Sequence, residues 1–146
     1  MWKLETGERL ARWRDFRKSL DLLSLDSAVQ ATADFWQGCP FNPYYLDPAD
    51  PESWPSAWDL ITENYYCDLA KALGIVYTMH FSAHDQALAP EIHIYIDPET
   101  GYTYNLSVFA KGKYVVNFLD STIVNIESIN KKLKLKYRYS GNELKL

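Results

Sequence analysis

Three features of the sequence predict an α+β fold in which three N-terminal helices pack on a C-terminal antiparallel β-sheet, arranged as a meander. Apolar residues recur at helical spacing up to Gly74, alternate at period two from Ile75 onward, and never interleave as a βαβ repeat would. With 146 residues, 47% of them hydrophobic, the chain can fill one core without splitting. Residues 1–146 therefore read as a single domain. It is mainly helical over 1–74, with a Pro- and aromatic-rich loop at 39–55, and mainly β over 75–146.

Leu10, Trp13, Phe16, Leu20 and Leu23 carry the first helix, and Arg9, Arg12, Arg14, Asp15, Arg17 and Lys18 fill its other, basic face. The second begins at Ser27, which has capping-box spacing to Gln30, and its apolar stripe is Val29, Ala33 and Trp36. Gly38 and Pro40 end it. Five prolines between residues 39 and 55 exclude both helix and central strand. Phe41, Tyr44, Tyr45, Leu46 and Trp54 make that stretch too apolar for a free linker, so an ordered loop over the core is expected. Ser56 caps the third helix, whose face is Trp58, Ile61, Tyr65, Leu69 and Ala72, and Gly74 stops it. A helix of that extent puts Cys67 in its C-terminal half, where the dipole opposes a thiolate.

After Gly74 the pattern changes. Residues 75–81 read as a strand, and 91–96 alternate Ile92, Ile94 and Ile96 against Glu91, His93 and Tyr95. Asp97-Pro98-Glu99-Thr100-Gly101 is a turn into a returning strand at 102–109. Lys111-Gly112-Lys113 turns into a strand at 114–118, a shorter one follows near 123–126, and the chain closes on alternating Leu133, Leu135, Tyr137 and Tyr139.

The net charge of −4 gives no global attraction to nucleic acid or an anionic membrane. The N-terminus lacks the apolar core of a signal peptide, and no run approaches the roughly 18 apolar residues of a spanning helix. Export by a signal peptide is not expected. Two cysteines, Cys39 and Cys67, make no disulfide framework and read as free thiols. Five Trp, eleven Tyr and six Phe are more than one small core needs. Such side chains collect at protein interfaces, so Tyr44, Tyr45, Trp54 and Trp58, with Arg12 and Arg14, are the candidate partner-binding residues.

No Gly-rich phosphate loop, nucleophile elbow or zinc spacing is present, and no cofactor or metal is expected. His80, His84 and His93 read as scattered histidines, and Asp97, Glu99 and Gly101 as turn residues without an EF-hand's terminal glutamate. Lys131, Lys132, Lys134, Lys136 and Arg138 read as the solvent face of an edge strand, where lysines discourage edge-to-edge pairing.

One constellation carries possible chemistry. Cys67 on a helix, His93 on a following strand and Asn105 on the next strand supply a nucleophile, a general base and an orienting group. Their order, with the stretch from Cys67 through Gly74 to Ile75, resembles the transglutaminase-like and papain-like cysteine enzymes over about residues 64–105. That resemblance implies a thiol hydrolase or acyltransferase with a Cys67-His93-Asn105 triad.

A second resemblance points elsewhere. Residues 54–67, continued by Tyr77-Thr78-Met79, are similar to small uncharacterised proteins of T4-like tailed phages. It implies a virion or assembly component of tail, baseplate or neck, located in the virion or host cytoplasm. Its partners would be other virion or assembly subunits, a second copy of the chain among them. With no strong catalytic signature, the non-catalytic interaction module is the first expectation and the thiol enzyme the alternative.

Overall fold

In the computed structural model, which describes residues 1–146, Glu5 is extended and the chain then enters α1 (Thr6–Leu20). Its face is not simply apolar against basic. Arg9 is buried beside Trp13 and Leu20, and its guanidinium donates to the carbonyls of Ile61 (2.8 Å) and Thr62 (2.9 Å). Those carbonyls end α3 (Ala57–Glu63), so a residue expected on a solvated face supplies positive charge to a helix C-terminus. α2 (Leu25–Gln37) begins one turn earlier than its capping-box spacing suggested. Ser24 is the cap and accepts the Ser27 amide. The proline-rich segment is ordered over the core, with Tyr45 and Leu46 packed against it.

The third predicted helix is two helices. α3 is capped by Ser56 as expected, but it ends at Asn64, whose φ of 57° is left-handed. Four residues later α4 (Asp68–His80) starts and continues through Gly74, over the stretch expected to be a strand. The β-branched run Ile75-Val76 and Tyr77-Thr78 favours strand locally. Here it is buried on all sides, with α2 and the sheet packed around it, and tertiary burial overrides propensity. Gly74 is not a stop signal. It is where the six-membered ring of Trp36 crosses α4, and a Cβ there would overlap that ring. Gly74→Ala is therefore expected to lower the unfolding free energy by about 1–3 kcal/mol, the usual cost of overpacking, despite alanine's better helix propensity. A denaturant melt showing a gain instead would mean that Trp36 can move aside.

β1 (Glu91–Ile96), β2 (Thr103–Phe109), β3 (Tyr114–Leu119), β4 (Thr122–Val124) and β5 (Lys134–Ser140) form one antiparallel sheet in the order β4-β3-β2-β1-β5. It is not a pure meander, because β5 returns to the free edge of β1. Lys134, Lys136 and Arg138 stand exposed on that edge. α4 lies across β1, β2 and β3, and α2 across β3 and β4, all on one face. Ile92, Ile94, Phe109, Tyr114 and Val116 join the helices in the main core. The other face holds a smaller cluster of Leu106, Val108, Val115 and Ile129. No helix is long and apolar enough to cross a membrane.

Candidate active site

The break at Asn64 decides where Cys67 sits. The left-handed Asn64 backbone is held by its side-chain amide donating to the Trp2 carbonyl (3.0 Å), and an isolated bridge ties Phe41 to Tyr66. The chain therefore re-enters helix at Asp68, with Cys67 as N-cap of α4 and its sulfur 3.4 Å from the Ala70 amide. This reverses the expected electrostatics, since the positive end of a helix dipole stabilises a thiolate. The backbone amides of Asp68 and Leu69 have no backbone acceptor, as first-turn amides generally do not.

Cys67 is only 7% exposed, yet it lies on the wall of an open cleft of about 670 Å³. The cleft runs between the 41–48 segment, the start of α4, and the β1–β2 turn with the first residues of β2. Its rim is aromatic: Phe41 is 73% exposed, Tyr44 98% and Tyr102 61%. Behind Cys67 the Asp68 carboxylate is gripped by two amides, with Asn105 Nδ2 donating to Oδ2 (2.9 Å) and Asn117 Nδ2 to Oδ1 (3.1 Å). Asn117 also donates to the Asn105 carbonyl at 2.9 Å, from a backbone φ of 72° inside β3. A left-handed residue within a strand is strained, and here the strain aims an amide at the first turn of α4.

Of the expected triad, the structure brings Cys67 and Asn105 to one cleft and leaves His93 out. In β1, Ile92 and Ile94 face the helices, so His93 between them faces the opposite side, paired with Leu106 of the outer cluster. Its Nε2 lies 2.8 Å from Glu91, which also takes a two-pronged contact from Arg138. Neither other histidine replaces it. His80 ends α4, about 18 Å along the helix from its start, and contacts Asp85, while His84 contacts the Leu20 carbonyl. No imidazole faces Cys67.

The predicted partner-binding residues scatter. Arg12 and Arg14 are exposed, with Arg14 paired to Asp15 at 3.2 Å, and Trp58 is half-exposed. Tyr44 belongs to the cleft rim and Tyr45 is half-buried. Trp54 is not a surface anchor. It is buried at 1% exposure, its indole donating to the Asp47 carbonyl, because the proline-rich loop folds it inward. Sequence reasoning missed Asp68, Asn117 and Tyr102. An Asn inside Val115-Val116-Asn117-Phe118 was the one available signal, since Asn is depleted in strands and tolerates left-handed backbone.

The fold is shared with solved structures. Three of LapG from Legionella pneumophila superpose over most of the chain. One has a TM-score of 0.71 at 16% identity, covering 93% of this chain and 76% of that one. An EGTA-treated form has a TM-score of 0.69 at 15% identity, covering 92% and 73%. A calcium-bound form has a TM-score of 0.67 at 14% identity, covering 95% and 78%. No family model matches the sequence, and no curated protein matches it. The chain thus shares its α+β fold with these structures. This likeness overturns the expectation of a non-catalytic tail, baseplate or neck module of a phage, for which nothing speaks. One of these neighbours is calcium-bound, and in this chain no group of three or more His, Cys, Asp or Glu side chains converges.

Proposed function

We propose that the protein is a thiol-dependent acyl-transfer enzyme, a hydrolase or acyltransferase, with Cys67 as its nucleophile. The observation that carries this reading is the Cys67 sulfur at the N-terminus of α4, in a residue that lines an open cleft. A thiolate there attacks a carbonyl carbon lying in the cleft, and the helix dipole that stabilises the thiolate also favours the oxyanion formed next. The first-turn amides of Asp68 and Leu69, without a backbone acceptor, are the donors that would take that oxygen. Asn105 and Asn117 fix Asp68, and through it the first turn of α4, so they position the nucleophile without touching the reacting atoms. The fold shared with LapG supports the same reading.

The test is iodoacetamide labelling across pH 5–9. The thiolate is the species that reacts, and a helix N-terminus favours it. Cys67 should therefore react at pH 6 faster than a free cysteine peptide. Cys39, pushed up to about 11 by burial, should stay unlabelled throughout that range. If Cys67 labels no faster than the peptide, the nucleophile assignment fails.

A further inference from the structure

The cleft lacks the group that amide cleavage needs. Expelling an amine requires a proton delivered to its nitrogen, usually from an imidazole close to the nucleophile. All three histidines are placed elsewhere. The remaining titratable groups near Cys67 do not substitute, and burial pushes the neighbouring Cys39 thiol up to about 11. Both Asp68 oxygens are held by amides, and the Lys71 ammonium contacts Gln37 at 3.4 Å. Burial, with the nearby Asp68 charge, raises the Tyr102 phenol above its ordinary value, away from neutral-pH proton transfer. The rim is the second observation. Phe41, Tyr44, Leu46 and Tyr102 border the cleft, three of them largely exposed, and such a cluster beside a nucleophile suits an apolar ligand.

We infer that the cleft takes an apolar acyl group carried as a thioester, not as an amide. The inference rests on the acyl-transfer reading and narrows it. In the reaction the Cys67 thiolate forms a bond to the acyl carbon, and the carbonyl electrons move onto oxygen near the Asp68 and Leu69 amides. They return as the bond from carbon to the thioester sulfur breaks. The departing sulfur leaves as a thiolate with the bonding pair and takes its proton from water, so no protein acid is needed. The proton released by Cys67 on ionisation balances that one. The products are acylated Cys67 and a free thiol, and a second thiolate removes the acyl group by the same step in reverse.

The experiment mixes the full-length protein at pH 7 with the hexanoyl thioester of a small thiol, its acetyl counterpart, and the matched hexanoyl amide. Intact-mass and peptide mass spectrometry follow the acyl group, and amine release follows the amide. One hexanoyl group should appear on Cys67, at least about tenfold faster than acetyl, with no amine released. Cys67→Ser, which keeps a strong N-cap residue and so the fold, should take up nothing. The Phe41→Ser/Tyr44→Ser double variant should erase most of the hexanoyl preference. Cys67-dependent amide cleavage would overturn the thioester assignment while leaving the acyl-transfer reading in place. Rapid iodoacetamide labelling of Cys67 without acylation by either thioester would do the same. Slow labelling would remove both.

Discussion

Thr78→Val should lower the unfolding free energy by about 2–5 kcal/mol, although it exchanges a hydroxyl for a methyl of almost the same shape. The Thr78 hydroxyl accepts the indole N–H of Trp13 (3.0 Å) and of Trp36 (2.9 Å), and donates to the Gly74 carbonyl (2.7 Å). All three side chains have 0% exposure, so water cannot take over either indole. A buried donor left without an acceptor costs about 1–3 kcal/mol, and valine orphans two. Thr78→Ser keeps the hydroxyl and loses one methyl, for roughly 1 kcal/mol. Urea melts at unchanged m-value would read both. A valine variant within 1 kcal/mol of the parent would show that the indoles find other acceptors. The node matters beyond stability, since Thr78 is where α1 and α2 grip the helix whose other end carries Cys67.

The alternation of period 3.6 and period two was enough to read the α+β class, the Ser56 cap and strands close to 91–96, 102–109 and 114–118. The break at Asn64 was not legible, because Asn64-Tyr65-Tyr66-Cys67 keeps helical apolar spacing while the backbone leaves the helix. Nor was the continuation of α4 through Gly74, whose cause is a ring from another helix. The failure of the triad differs, because it could have been seen. A hairpin turning at 97–102 pairs residue 96 with 103, and therefore 93 with 106 and 94 with 105. Paired residues share a face and neighbours do not, so His93 and Asn105 must lie on opposite sides of that sheet. Working out the register would have separated them. Burial of Trp54 was hidden for another reason, since composition says how many aromatics a chain has and not which a loop turns inward.

Asn117→Ala should cost about 2–4 kcal/mol of stability, and it separates backbone strain from the amide that strain aims. At a φ of 72°, alanine loses roughly 1–2 kcal/mol that glycine does not. The lost amide leaves Asp68 Oδ1 and the Asn105 carbonyl each short of a donor, for about 1–3 kcal/mol in either variant. Asn117→Gly should therefore recover about 1–2 kcal/mol of the alanine loss and no more. Stability alone would not distinguish a positioning role from a packing one, so the Cys67 labelling rate at pH 6 is the second readout. Without the Asn117 amide the Asp68 carboxylate keeps one side-chain amide donor in place of two, and its less compensated charge in the first turn of α4 opposes a thiolate at the N-cap. Labelling should then slow several-fold in both variants, with iodoacetamide still reaching the cleft. Unchanged labelling in Asn117→Gly would mean that the helix N-terminus alone sets Cys67 reactivity, and Asn117 would be a structural residue of β3.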